Sequence, residues 1–360
     1  MKKELSGVDV YHFVQELKTF EGGKVEKVYQ WEDDDAFLFR LYARGNKNQL
    51  RVVLPGLAYL TQKRIKAPRM PPGFCRFLRK HVQGGRIEKV KQKQFDRLIE
   101  IQLSTKHGQR ILIFELFKPS NIVVLDHEKN IIHPFRRQSF KDRQIKSRHP
   151  YTYPPLKPNI PTKTFQEFNN LLASEEKNLG KNLATTCGLG GTYAEEVIQR
   201  AKQSHNAIYN DLSEEQRKIV YNAVQSLFEE TNPCKTDKDE VFPVKMQSKN
   251  VVETYDSFSE AIDSQFTFTQ VATKTARKSS KNKWEAIINA QENQVKKLTE
   301  KIEENQEKAE WLYEHYNEVK ILIKELREAV EKERIQEVID KHDYIKSYDP
   351  ETKEVTINVK

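Results

Sequence analysis

The dipeptide Asp96-Arg97 is the part of this sequence whose residue types and placement most favour chemistry. It stands at the start of an alternating apolar run that predicts a β-strand over Phe95–Leu103, in which Arg97 has the parity of Ile99. An arginine aligned with the buried face of a strand must either form an ion pair or reach a ligand. The sequence leaves two interpretations open: an internal pair with Asp96 or Glu115, or a guanidinium that binds an anion.

Asp9 is a second acidic residue in a suggestive position. Ser6 and Asp9 have the spacing of a capping box at the start of a predicted helix, with Asp in place of the usual Glu. Helix capping is therefore the interpretation of Asp9 that the local sequence favours.

The most concentrated cationic stretch runs from His133 to His149, where Phe135 and Phe140 interleave with the basic residues. Basic side chains neutralise phosphates and aromatic rings stack on bases, so this segment is a candidate nucleic-acid contact. A solvated basic loop is the alternative. The candidate contact residues in it are Arg136, Arg137, Lys141 and Arg143.

A glycine-rich turn lies between two predicted helices, and Thr192 with Glu195 forms a capping box at the start of the second. A Gly-x-Gly turn between short helices is typical of a helix-hairpin-helix unit, whose backbone amides hold a phosphate without reading sequence. A plain helix C-cap is the alternative. The candidate phosphate-binding residues are Gly188, Gly190 and Gly191.

The composition favours a polyanionic partner and gives little support for autonomous catalysis. The 360 residues carry a net charge of +9 and a pI of about 9.1, as expected for a protein that binds nucleic acid. We find no bilayer-length apolar run and no signal peptide, so we expect a cytoplasmic protein without a membrane partner. Three isolated cysteines and scattered histidines show no metal-ligand spacing, and nucleotide-binding and hydrolase motifs are missing. We therefore expect no cofactor, no metal and no enzymatic activity.

The apolar patterns predict an α+β, multidomain chain. Strands are expected at Lys24–Trp31, Ala36–Ala43 and Gln49–Leu54. We predict an N-terminal antiparallel β domain with flanking helices at residues 1–164, followed by a helical helix-hairpin-helix domain at 165–232. A connector at 233–283 contains a short strand, a short helix and a flexible basic linker. A long coiled-coil arm covers 284–340, and the tip of that arm, expected to be truncated, covers 341–360.

The arm is predicted from apolar residues that recur in alternating steps of four and three between Trp284 and Val330. A helix with such a seam needs a second helix to cover it. Either a returning helix lies beyond residue 360, or the coils of two chains associate.

Several segments together resemble the NFACT family of ribosome-associated quality-control factors, in its archaeal type and without the family's C-terminal half. They are the opening SGVDVYHFVQEL, the helix PPGFCRFLRKHVQGGRI, the strand ILIFELFKPSNIVVLD and, within the arm, EKAEWLYEHYNEV. The resemblance covers essentially the whole chain.

The resemblance implies an N-terminal fold shared with formamidopyrimidine-type DNA glycosylases. It implies a protein that binds the large ribosomal subunit, through its rRNA and proteins, when that subunit carries stalled peptidyl-tRNA. Such a protein recruits tRNA, chiefly alanyl-tRNA, so that C-terminal tails are added without mRNA. The family's tRNA-handling acidic residue and Asp-Arg pair match Asp9, Asp96 and Arg97.

Two other functions are alternatives. A glycosylase of this fold uses a proline directly after the initiator methionine, where this chain has Lys2 and Lys3. A fibronectin-binding adhesin would need a signal peptide. The resemblance therefore implies an adaptor, with peptide bonds made by the ribosome itself.

Overall fold

The computed structural model describes residues 1–31, 35–63, 65, 68, 70–266, 276–331, 334–342, 345–349, 352 and 354–357. The side chains of residues 276–290 and 331 are not described. The chain divides into two compact units, Met1–Thr269 and Gln270–Lys360. None of the helices in the described residues combines the length and the apolar composition that crossing a bilayer requires.

Within the described residues of the first unit, nine strands form one antiparallel sheet in the order β4-β3-β2-β1-β5-β6-β7-β8-β9. Their bounds are β1 Lys24–Trp31, β2 Ala36–Ala43, β3 Asn46–Val53, β4 Leu57–Thr61, β5 Arg86–Gln92, β6 Leu98–Thr105, β7 Gly108–Glu115, β8 Asn121–Leu125 and β9 Ile131–Pro134. The predictions for the first two strands are confirmed to the residue. The pair β10 Gln138–Ser139 and β11 Gln144–Ile145 follows the sheet.

The sheet curls, so that its last strand approaches its second. The rings of Phe37 in β2 and Phe135 after β9 have centroids 5.0 Å apart, and Arg136 forms an ion pair with Asp35. The curled sheet encloses a core to which two helices contribute, α1 Gly7–Lys18 and α2 Gly73–His81.

The rest of the first unit is mainly helical and has a second core. Val8 of α1 and Phe95, in the turn between β5 and β6, pack in that core with residues of the helical part. The elements are α3 Phe165–Ala173, α4 Leu179–Lys181, a π-helical turn Asn182–Thr186, α5 Gly191–Ala201, α6 Glu214–Glu229, the three-stranded sheet of β12 Cys234–Thr236, β13 Val241–Phe242 and β14 Val251–Thr254, α7 Phe258–Ser264, and two 3-10 turns at Ile160–Thr162 and Tyr209–Asp211.

Helix α7 returns to the first core, although we predicted it as part of a connector. Ala261 and Ile262 pack in that core, and the Phe266 ring stacks on Tyr59 at 5.3 Å. The half-buried Glu16 carboxylate of α1 accepts hydrogen bonds from the amides of Phe258 and Ser259, and this contact fixes the start of α7.

The second unit consists of α8 Ala276–Glu314, α9 Tyr316–Glu331, α10 Ile335–Lys341 and a hairpin of β15 Ile345–Asp349 and β16 Glu354–Ile357. Helix α8 begins at Ala276, inside the segment 273–283 that we predicted as a flexible linker, and residues 267–275 lie outside the described part. Val295, Leu298 and Ile302 of the predicted seam are exposed. The second helix of a coiled coil therefore stays a prediction.

Candidate functional site

Asp9 caps α1 and also joins three parts of the first unit. Ser6 Oγ accepts from the Asp9 amide, and Asp9 Oδ2 accepts from the Ser6 amide at 2.7 Å, so the predicted capping box is confirmed. Asp9 Oδ1 accepts from Lys2 Nζ at 2.8 Å and from the Tyr193 hydroxyl of α5 at 2.7 Å. Burial and the charge of Asp9 raise the pKa of Tyr193 well above its ordinary value, so the phenol stays a donor.

Lys2 completes this buried group. Its ammonium also donates to the Val241 carbonyl at 2.9 Å, and it lies 5.2 Å and 5.1 Å from the ring centroids of Phe242 and Phe258. These contacts satisfy a charge that would otherwise be costly to bury. Because the Asp9 side chain is only 2% exposed, its carboxylate supports the site from beneath and is not accessible to a ligand.

Arg97 does not lie in the strand that we predicted for it. Strand β6 begins at Leu98, and Arg97 ends the turn that precedes it. Its guanidinium is 34% exposed and lies 3.4 Å from Glu4 Oε2. Asp96 accepts a hydrogen bond from the Arg97 amide at 2.7 Å, which fixes the turn.

The predicted ion pair of Arg97 with Asp96 or Glu115 is therefore wrong. Glu115 pairs instead with Arg143, at 2.6 Å. Glu4 is shared, because Lys118 Nζ also approaches it at 2.9 Å. The hydrogen bond from Lys118 and the charge of Arg97 lower the pKa of the Glu4 carboxyl despite its partial burial, so Glu4 is a stable anion at the edge of the site.

A cleft of about 360 Å³ brings together four of the residues predicted for function: Asp9, Arg97, Gly190 and Gly191. Arg97 supplies an exposed positive charge, and the start of α5 supplies the positive end of a helix. No side chain caps α5, so the capping box predicted from Thr192 and Glu195 is wrong: the helix begins at Gly191, with Gly190 as its N-cap. Apart from the chain neighbours of Gly191 and the helix backbone, no atom of the described residues lies within 4 Å of the position that a Cβ would take there, so the space beside the helix start is open. The cleft therefore has the elements of an anion site: the backbone amides at the uncapped start of a helix, and a guanidinium.

The glycine turn also closes the preceding helical segment. Gly190 has a φ of +77°, which glycine adopts without strain, and its amide donates to the Ala184 carbonyl at 3.1 Å. The helix C-cap that we kept as an alternative is thus present in the structure. Gly188 does not line the cleft, and the helix-hairpin-helix function of the turn stays a prediction.

The rim of the cleft carries acidic as well as basic groups. Glu4, Asp239 and Glu240 line it beside Arg97, and the Met1 ammonium lies 3.3 Å from Asp239. Carboxylates repel phosphate but accept hydrogen bonds from base amino groups and ribose hydroxyls. This combination suits a nucleotide better than a bare anion.

The basic segment after β9 lies apart from the cleft, and none of its four predicted contact residues lines it. Arg143 is 8% exposed and holds Glu115, which also accepts from the Tyr151 hydroxyl at 2.7 Å. Arg136 is half-exposed and pairs with Asp35. Arg137 and Lys141 are exposed and remain accessible to a polyanion.

Sequence reasoning missed Lys2, Glu4 and Tyr193 as parts of the site. Tyr193 reaches Asp9 across 184 positions of sequence, and no local pattern signals such a contact. Within the described residues, His, Cys, Asp and Glu side chains nowhere gather in a group of three or more that could hold a metal.

The fold of the first unit is that of a known class of N-terminal domain. The structure of the N-terminal part of the fibronectin/fibrinogen-binding protein from Streptococcus suis superposes with a TM-score of 0.61 at 26% identity, and it covers 73% of this chain and 98% of that one.

The family is shown by sequence. The family of NFACT N-terminal and middle domains matches residues 6–360, and the chain belongs to it. The archaeal Rqc2 homolog aRqcH of Methanocaldococcus jannaschii is 30% identical over 94% of this chain and 54% of its own length. The ribosome quality control complex subunit 2 of Saccharomyces cerevisiae is 30% identical over 37% of this chain and 13% of its own length. The chain thus spans about half the length of its archaeal relative.

Proposed function

We propose that this chain acts in ribosome-associated quality control and that the cleft between α1, the β5–β6 turn and α5 binds tRNA. The proposal rests on one observation: Arg97 and the uncapped start of α5 line the same cleft. A phosphate bound there would accept hydrogen bonds from the backbone amides at the start of α5 and a charge-assisted hydrogen bond from Arg97. The family relationship to proteins named for ribosome quality control supports the choice of RNA as the partner.

The carboxylates of the rim give the cleft a means of discrimination. Glu4 lies beside Arg97 and is held as an anion by Lys118. It can accept a hydrogen bond from a base amino group or a ribose 2′-hydroxyl of the nucleotide whose phosphate Arg97 binds. Duplex DNA lacks that hydroxyl, so the arrangement favours RNA. We keep Asp96 in the proposed site as the residue that fixes the Arg97 backbone.

The role we propose is that of an adaptor. The chain would bind the large ribosomal subunit that carries stalled peptidyl-tRNA and recruit tRNA, chiefly alanyl-tRNA, for mRNA-independent tailing, while the ribosome forms the peptide bonds. The contacts of Asp9 support this role over catalysis, since a carboxylate held by Lys2, Tyr193 and the Ser6 amide is committed to structure.

The test is co-sedimentation of the chain with large ribosomal subunits that carry peptidyl-tRNA, followed by sequencing of the tRNA retained. We expect alanine tRNA to be enriched over the input pool and the enrichment to be lost in Arg97→Ala. The control is Lys218→Ala, which also removes one positive charge, from an exposed i,i+4 pair with Glu214. Retention of all tRNAs in input proportions, with no effect of Arg97→Ala, would contradict the proposal.

A further inference from the structure

A second surface of the first unit gathers four aromatic rings. Phe77 and His81 lie on α2, His107 lies in the turn between β6 and β7, and His133 lies in β9. Ring centroids are 4.5 Å apart for Phe77 and His81, 4.8 Å for Phe77 and His133, and 5.3 Å for His81 and His107. We call these four residues the histidine face. His107 is exposed and the other three are half-buried, so each of the four side chains keeps part of its surface in contact with solvent.

The charges around the histidine face are positive. The groups that act electrostatically on His81 are Lys80 from its own helix, His107 and Arg110 from β7 and the turn before it, and His133 from β9. Burial and these neighbours lower the pKa of the His81 imidazole. In the described part of the chain, no carboxylate is among the groups that act on His81, so nothing in that group of residues balances the positive charges around it.

Two hydrogen-bonding atoms of this region are also unsatisfied. His81 Nδ1 and Arg110 Nε are buried and have no hydrogen-bond partner among the described residues. Buried polar atoms without partners are uncommon in native structures, so each of them needs a physical explanation. By contrast, His133 Nδ1 is already engaged with the Pro134 carbonyl at 2.7 Å, so its ring is held in place.

We propose that the histidine face binds an unpaired RNA base, stacked on its rings, with the adjoining phosphate near Arg110 and Lys80. Flat rings of this kind stack on any nucleobase, and the surrounding cations neutralise phosphate. An acidic peptide would satisfy the cations but would leave the rings without planar partners, so RNA is the partner that uses both features.

This surface is separate from the cleft and does not depend on the function proposed for it. Arg97 directly precedes β6, whereas His107 follows its last residue, so the two lie at opposite ends of one eight-residue strand. At the rise of an antiparallel strand, that separation is about 25 Å. One RNA molecule could contact both, or each surface could bind on its own.

The test is the affinity of the whole chain for a short, unstructured single-stranded RNA, followed by fluorescence anisotropy. We expect the double variant Phe77→Leu/His107→Gln to bind roughly tenfold more weakly, in line with the loss of stacking on one base.

The matched control is His127→Gln, an exposed histidine beside Glu128 in the turn between β8 and β9, which should bind like wild type. The single variant His107→Gln separates a loss of binding from a loss of folding, because that side chain is exposed and its replacement should leave the fold intact. It should already weaken RNA binding measurably. Unchanged RNA affinity in both histidine-face variants would overturn the proposal. Arg97→Ala tests the cleft separately.

Discussion

Lys2 Nζ lies 2.8 Å from Asp9 Oδ1, and the two side chains are only 11% and 2% exposed. This buried pair ties the N-terminal segment to α1, and the Tyr193 hydroxyl adds α5 to the same carboxylate. The cleft is therefore shaped by a contact that is itself closed to solvent. In the proposed site, Asp9 would therefore affect RNA binding only through the position of its neighbours, whereas Arg97 would contact the RNA itself.

The first prediction concerns the strength of that pair. Asp9→Asn leaves the Lys2 ammonium buried without its counter-ion, so we expect it to lower the free energy of unfolding by roughly 3 kcal/mol or more. Ser6→Ala removes only a capping hydroxyl and should cost about 1 kcal/mol. Urea unfolding of both variants measures the difference. Equal losses would mean that Asp9 contributes as a cap alone.

The second prediction separates stability from binding at the start of α5. Gly191→Asp places a negative charge beside the free helix amides, which should stabilise the fold by about 0.5 kcal/mol and weaken tRNA binding. Gly73→Asp is the control, because Gly73 also begins an uncapped helix and faces open space. It should stabilise the fold to a similar extent and weaken tRNA binding less than Gly191→Asp does. If both variants lost tRNA affinity alike, the effect would be one of net charge.

The third prediction concerns pH. Burial lowers the pKa of His12 below its ordinary value of 6.5, against the opposing effects of the Leu227 carbonyl, 2.7 Å from Nε2, and of Asp9. The folded state thus favours the neutral ring, and its stabilising contribution is complete above pH 6.5 and is lost as the pH falls through the lowered pKa.

His12→Gln keeps an N–H donor for the Leu227 carbonyl but does not titrate. We expect wild type to lose more stability than this variant when unfolding is measured at about pH 7.5 and again at about pH 5.5. Parallel losses in the two proteins would assign the acid sensitivity to other groups.

The fourth prediction divides the basic segment after β9. Arg143→Met leaves Glu115 buried without its partner and should destabilise the fold by roughly 3–5 kcal/mol. Arg137→Ala changes an exposed side chain and should alter stability by less than about 0.5 kcal/mol, while weakening tRNA binding slightly. Thermal unfolding and tRNA titration of both variants check this division. A stable Arg143→Met with reduced tRNA affinity would place that guanidinium on RNA instead.

Local patterns predicted the regular parts of the fold well. The strands at Lys24–Trp31 and Ala36–Ala43 and the capping box of α1 appear as expected, because each depends on residues close together in sequence. The predicted strand over Phe95–Leu103 began too early. Phe95 is apolar because it anchors the β5–β6 turn in the second core, where its ring lies 5.4 Å from Phe228. A period of two cannot distinguish that use from a strand position.

Long-range pairing accounts for the other errors. Glu115 is equally available to Arg97 and Arg143 in the sequence, and only the curled sheet decides that Arg143 reaches it. Likewise, no local signal brings Lys2 and Tyr193 to Asp9. The residue types of the cleft could be predicted, but the contacts that build it could not.

The most direct test of the tRNA site is the affinity of the chain for purified tRNA near physiological ionic strength, for wild type, Arg97→Ala and Lys218→Ala. We expect Arg97→Ala to bind tRNA about tenfold more weakly or worse, as for a lost hydrogen bond from a charged group, and duplex DNA to be bound poorly by all three proteins. Lys218→Ala should match wild type. Equal affinity of all three proteins, with duplex DNA bound as well as tRNA, would contradict the proposed tRNA site and would mean that binding depends only on overall charge.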